Sequence, residues 1–292
     1  MSGRYLELRR RLTSTPLARQ HESRLRGKGL RRPREIPWAS FDRSRFPKAA
    51  LDLAADSYDK LAAGEYGAVQ VYGQLTAAMT LLGLPLDLVT ASAAICTDEA
   101  RHADYAMQMA RAVVPDDVPV RVDKEPLEAP WRKNVGLEDI DRVVLHVAAI
   151  SETLSCGLIS ACLERATDQT TRVLFSNLVA DEIHHARFGW YYLSWREPQW
   201  SRAERQRLAD RMASNVVTVE RRFWAGRDAP PSASEAARSL GVLESEGQRA
   251  AIQATMEREI VPALDALGLG GSHAWRLRER GGVKEPAEGD LH

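Results

Sequence analysis

From residue 48 onward the apolar positions recur every three to four residues, and most breaks in the pattern fall where proline or glycine intervenes. This spacing predicts a helix over residues 48–82, closed by Gly83 and Pro85, and a second over 87–114, ended by Pro115. A polar stretch of about 20 residues follows, with Pro119, Pro126 and Pro130; its length predicts a crossover connection rather than a hairpin. Further helices are predicted over 137–166 and 170–195, the latter stopped near Pro198, and then over 201–224 and 244–267. No segment alternates with the period of a strand, so the expected class is all-α. Residues 1–48 read as an arginine-rich arm broken by Pro16, Pro33, Pro37 and Pro47. Residues 49–267 read as one helical domain whose core spans 50–195, and 268–292 as a loose tail.

The central helices contain an internal repeat. The second predicted helix carries Asp98-Glu99-Ala100-Arg101-His102-Ala103, and the fourth carries Asp181-Glu182-Ile183-His184-His185-Ala186. Each copy follows a helix with its own glutamate: Glu65 lies 34 residues before Glu99, and Glu152 lies 30 before Glu182. Residues three apart on a helix share a face. Glu99 with His102, and Glu182 with His185, therefore each present a carboxylate and an imidazole to one point. With Glu65 and Glu152 the set becomes four carboxylates and two imidazoles inside a bundle. That is the ligand set of a carboxylate-bridged pair of metal ions, and hard oxygen donors with some imidazole suit iron or manganese. Four carboxylates offset two divalent cations, and burying them without a cation would be prohibitive. The faces around these glutamates are otherwise apolar. Small residues at Ala103, Ala106, Ala186 and Gly189 are expected to leave room beside the metals, with Tyr72 and Cys156 on the same pocket wall.

Composition narrows the picture. Apolar residues make up 44% of 292, enough for a sizeable core, and the formal net charge is zero, which gives no global attraction to nucleic acid or membrane. The charge is uneven: residues 1–48 hold 14 Lys+Arg against 4 Asp+Glu. Such an arm can contact nucleic acid, but wrapping its own bundle or remaining solvated is the expected role. Cys96, Cys156 and Cys162 form no CxxC pair and read as reduced thiols. The N-terminus lacks a signal-peptide core, and no apolar run approaches a membrane span, so a soluble cytoplasmic protein is expected.

Over residues 50–195 the motif layout resembles the ferritin-like di-iron superfamily, which includes rubrerythrins, ribonucleotide reductase small subunits, bacterial multicomponent monooxygenase hydroxylases and arylamine N-oxygenases. The resemblance implies a ferritin-like four-helix bundle, here with extra C-terminal helices and an N-terminal arm. It implies two iron ions, or manganese, bridged by Glu99 and Glu182, with Glu65 and Glu152 as terminal ligands and one histidine on each ion. In the Asp-Glu-x-Arg-His form of that motif the aspartate orients a ligand histidine and pairs with the arginine; Asp98 and Arg101 match it. Asp181 matches too, but His184 stands where arginine would be. His184 is then either a substitute partner for Asp181 or an additional ligand, and its direction, about 100° from His185, argues against ligation in a regular helix. The resemblance implies an enzyme that uses O2 and an electron donor to hydroxylate, N-oxygenate or desaturate a small organic substrate. Iron oxidation, peroxide removal and a non-catalytic scaffold are the competing roles, and assembly as a homodimer stays open.

Overall fold

A computed structural model of the chain describes residues 19, 33–114, 135–224 and 230–279. It is a helical bundle, with no strand among the described residues. Helices α1 (Lys48–Leu81), α2 (Leu86–Val113), α3 (Leu137–Arg165) and α4 (Gln169–Arg196) form its centre. Helix α5 (Arg202–Trp224), the short α6 (Glu235–Ser239), α7 and α8 (Gly271–Glu279) pack around it. Helix α7 is built from Ser245–Thr255, a π-helical stretch Met256–Ile260, and Val261–Ala266.

The helix limits follow from local chemistry. Pro47 and Pro85 stand at the N-caps of α1 and α2, where a missing N–H is no loss. After α1 the chain turns at Gly83, whose φ of 66° a side chain would disfavour. Asp168 caps α4 by accepting a hydrogen bond from the Thr171 amide at 2.9 Å. The π turn in α7 precedes Pro262, which has no N–H to close the preceding turn.

Two apolar clusters fill the bundle. One contains Tyr72, Leu75 and Met79 of α1, Leu88 and Ile95 of α2, Ile140 and Leu145 of α3, and Phe188 and Tyr192 of α4. The other contains Leu51 and Tyr58 of α1, Ala106 and Met109 of α2, Ile159 of α3, and Leu174 and Leu178 of α4. On α1, α2 and α4 the glutamates and histidines of the repeat lie in the chain between the two clusters. The order of the clusters also fixes helix direction. Helices α2 and α3 both run from the first cluster toward the second, as a crossover requires. The connecting residues 115–134 themselves lie outside the described residues.

Three expectations change. The stretch Leu137–Arg165 is long and apolar enough to cross a membrane by length and composition, contrary to the sequence reading. Its most apolar window is 56% buried among the other helices, as in a core helix covered on several sides. The tail expected from residue 268 is helical over Gly271–Glu279, and Ala274 and Trp275 are buried in the first cluster. Gly271 packs so closely on α7 that an added Cβ would meet the Val261 carbonyl oxygen at 2.6 Å, so a glycine taken as a mark of looseness marks a close contact. The end of the basic arm also packs on the bundle: Ile36 is buried, and Arg34 exchanges backbone hydrogen bonds of 2.9 and 2.8 Å with the side chain of Asn177. The more basic residues 1–32, Arg19 apart, and the end of the tail, 280–292, lie outside the described residues.

Candidate metal centre

All six residues of the repeat are buried: Glu99, Glu182, His102 and His185 are at most 1% exposed, Glu65 7% and Glu152 6%. They converge. His102 Nδ1 lies 3.2 Å from Glu182 Oε1, 3.8 Å from Glu99 Oε2 and 3.9 Å from Glu65 Oε2. His185 Nδ1 lies 3.0 Å from Glu99 Oε1 and 3.8 Å from both Glu152 Oε2 and Glu182 Oε1. The ring centroids of the two histidines are 5.6 Å apart. Glu99 and Glu182 thus reach both imidazoles, whereas Glu65 meets only His102 and Glu152 only His185.

Both carboxylate oxygens of Glu99 and of Glu182, and the Nδ1 atoms of both histidines, are buried without a hydrogen-bond partner. Buried polar atoms are seldom left unpaired, and here six are left in one place. One ligand atom from each of these four residues lies within 4.8 Å of the others, so the group could hold a metal ion. The donors, oxygen with imidazole nitrogen, suit iron and manganese.

The far side of each imidazole is held by the aspartate of the opposite copy. His102 Nε2 lies 3.3 Å from Asp181 Oδ2, and His185 Nε2 lies 3.5 Å from Asp98 Oδ2. A proton on Nε2 shared with the aspartate leaves Nδ1 bare toward the centre, the tautomer a cation needs. Arg101 clamps both aspartates through one nitrogen, 2.6 Å from Asp98 Oδ1 and 2.8 Å from Asp181 Oδ2. Burial alone would raise the Asp181 carboxyl, but His102 and Arg101 outweigh it and hold it at about 2. One arginine reaches the aspartates of both copies. His184 is half-buried, and the buried group that could hold a cation comprises Glu99, His102, Glu182 and His185 without it.

Electrostatics describe a site that binds protons when no cation is present. Burial, then the charges of Glu99 and Glu182, pushes Glu65 well above the usual carboxylate range. Burial, then Glu182 and Glu99, pushes Glu152 up to about 8. For both histidines burial opposes charge, yet the surrounding carboxylates win and raise them well above the ordinary imidazole value. Burial would likewise raise Glu99, but His185 and His102 hold it below its ordinary value.

The pocket expected beside the metals takes a different form. Gly189 does not open space: a Cβ there would meet the carbonyl carbon and oxygen of Ala148 at 2.3 Å and the Ala149 nitrogen at 2.4 Å. It is the point where α4 presses on the π-helical stretch Val144–Ser151 of α3. Ala106 is fully buried in the second apolar cluster. Cys156 is half-buried, its thiol pushed up to about 11 by burial. Tyr72 is fully buried and donates a hydrogen bond of 2.7 Å to Glu152 Oε1. A cavity of about 80 Å³ does exist, lined by Tyr58, Leu61, Ile159, Cys162, Phe175 and Leu240 among others, and by none of those four residues. Ile159 stands seven residues beyond Glu152, about 10 Å along the axis of α3. None of Glu65, Glu99, Glu152 and Glu182 lines the cavity, although Leu61 of its wall stands one turn before Glu65.

Sequence reasoning missed several features. The hydroxyl of Tyr72 on Glu152 was visible only as a tyrosine seven residues after Glu65 on the same face. The π turn before Glu152 has a signal only in hindsight, Ser151, whose hydroxyl donates to the carbonyl of His146 five residues back at 2.9 Å. Asp141 was missed altogether. It is 1% exposed and accepts from the Tyr192 hydroxyl, Arg196 Nε and Nη2 and Trp200 Nε1, all at 2.7–2.9 Å. It ties the first turns of α3 to the last turn of α4. Compared with protein-family models, with characterised proteins and with solved structures, the chain matches none.

Proposed function

We propose that this chain is an oxidoreductase of ferritin-like architecture. Glu65, Glu99, His102, Glu152, Glu182 and His185 would hold two iron ions, with manganese as the substitute. With O2 and an external electron donor, iron bound there would supply the redox chemistry for oxidising a small organic molecule. The observation that supports this reading is the set of six buried, partnerless donor atoms contributed by Glu99, His102, Glu182 and His185, flanked by Glu65 and Glu152. Four carboxylates neutralise two divalent cations, and one such cation pair would satisfy every one of those atoms.

The chain supplies everything but that redox chemistry. Glu99 and Glu182 stand between the two imidazoles, and Glu65 and Glu152 stand at the two ends of the cluster. Asp98 and Asp181 hold the imidazole rings and keep Nδ1 free, and Arg101 fixes both aspartates at once. The apolar clusters on either side keep bulk water from the carboxylates and strengthen their interaction with a cation.

Metal-free protein loaded anaerobically with Fe(II) is expected to retain about two ions per chain by elemental analysis. Glu99→Ala and Glu182→Ala are expected to retain fewer than one. On exposure to O2, uptake is expected to stop after one equivalent of the reduced centre unless a reductant and an organic substrate are supplied. Continuous oxidation of excess Fe(II) with no substrate would replace this reading with iron handling. A folded protein that retains no metal would leave only the scaffold role.

A further inference from the structure

We propose that Tyr72 makes the two halves of the centre unequal, so that the Glu152–His185 position takes the first metal ion and binds it more tightly than the Glu65–His102 position. The inference rests on the metal-centre reading above and adds an order of filling to it.

The ligands themselves are nearly symmetric. Glu99 has its mate in Glu182, His102 in His185, Glu65 in Glu152 and Asp98 in Asp181. Their support is not symmetric. Tyr72, fully buried, donates to Glu152 Oε1 at 2.7 Å, which leaves Oε2 as the oxygen turned to His185. Tyr72 stands seven residues after Glu65; seven residues after Glu152 the other half has Ile159, which has no hydroxyl. No hydroxyl or amide donor meets Glu65 among the described residues.

The turn that carries Glu152 is fixed as well. Thr153 Oγ1 donates to the Ala149 carbonyl at 2.6 Å and accepts from Trp190 Nε1 at 3.0 Å, which joins α3 to α4 at that point. Gly189 brings the α4 backbone against Ala148 and Ala149 one turn earlier. Glu152 is thus held in one orientation by its own hydrogen bond and by the packing of its helix. Glu65 is held by groups of the cluster itself, the Glu99 carboxyl and His102, which a cation would draw to itself, and not by an independent donor like Tyr72. A ligand already in its bound orientation loses less freedom when the cation arrives, so its position fills first. Tyr72 is a positioning residue, since it acts on the metal only through Glu152.

A simpler role would be a core tyrosine whose buried hydroxyl needs an acceptor. That role predicts altered stability on removing the hydroxyl, but no change in how the two ions differ. The test is an anaerobic titration of the full-length, metal-free protein with Co(II), followed by calorimetry and by the visible absorption of bound cobalt. Wild type is expected to show two steps, the first at least about 10-fold tighter. Tyr72→Phe, which keeps the ring, is expected to weaken the first step by about 10- to 100-fold, the range for losing a hydrogen bond to a ligand, and to leave the second step in place. Glu65→Ala is expected to keep the tight step alone, and Glu152→Ala to lose it. Two equal steps in wild type overturn the inference and leave the metal-centre reading standing. So does a Tyr72→Phe protein that weakens both steps equally, or that melts lower with an unchanged isotherm. A wild-type protein that binds no cobalt overturns both.

Discussion

Glu152 shows at the scale of one side chain how the site holds protons when no cation is present. Burial and the neighbouring carboxylates raise it to about 8, so the metal-free protein keeps it protonated near neutrality. Glu65, His102 and His185 are raised in the same direction. Groups whose folded values lie above their unfolded ones stabilise the fold fully below the unfolded value, and that contribution is lost as pH rises through the folded value. For Glu152 the loss runs from about pH 4.5 to about pH 8, and the histidines extend it upward from about 6.5. The melting temperature of metal-free protein should therefore fall between pH 5 and 8.5, as read by calorimetry at several pH values. A cation displaces those protons, so loading with Mn(II) at pH 7 should release protons, seen as an apparent binding enthalpy that scales with buffer ionisation enthalpy. A buffer-independent enthalpy would contradict the raised values. The identity of these residues was legible in the sequence because Glu-x-x-His places two donors on one helix face. Their support was not, because Tyr72 reaches Glu152 across two helices and 80 positions of chain.

The elements place these side chains through contacts that depend on small residues and on one buried acid. At Gly189 helix α4 meets the backbone of the π-helical stretch of α3, and the space a side chain would need is taken by Ala148 and Ala149. Periodicity marked Gly189 as a small residue on the metal-bearing face and so as a gap. It could not show that the facing helix closes the gap with its own backbone, because a π turn breaks the regular period on which such face assignments rest. Gly189→Ala should thus force α3 and α4 apart and lower stability by about 1–3 kcal/mol, as overpacking does, measured by urea unfolding. Asp141 should be costlier to lose. Its carboxylate receives four hydrogen bonds from Tyr192, Arg196 and Trp200, and Asp141→Ala would leave Arg196, 3% exposed, without its buried partner. Breaking a buried ion pair from one side costs about 3–5 kcal/mol. Urea midpoints equal to wild type in both variants would show that neither contact holds the bundle together.

Across the whole molecule, the all-helical class and most limits of the four central helices were legible because proline and glycine punctuate a steady helical period, while between α3 and α4 the Asp168 cap does so. The additional packing of α8 and of the arm's end was not, since Gly271 and Pro37 read as breakers when taken one at a time. What the period could not convey is that two apolar clusters meet across buried charged side chains, which lie between the clusters on α1, α2 and α4 and, as Glu152 of α3, at the edge of the first. Such a group is a liability to the fold unless a cation fills it. Glu65→Gln with Glu152→Gln separates the two effects. Glutamine has the shape of the protonated glutamates that the metal-free fold prefers, and it removes two carboxylates whose ionisation burial opposes. At pH 8 the metal-free double variant should melt a few degrees above metal-free wild type, with little difference at pH 5, where wild type carries the same protons. Adding Mn(II) should reverse the order. Wild type gains stability in proportion to the logarithm of metal concentration over its dissociation constant, about 4 kcal/mol at 1,000-fold excess, and the variant gains less because two of its donors no longer carry charge. A metal-free variant that melts below wild type at pH 8 would mean that the buried carboxylates stabilise the bundle without any cation, and the partnerless atoms would then need another explanation.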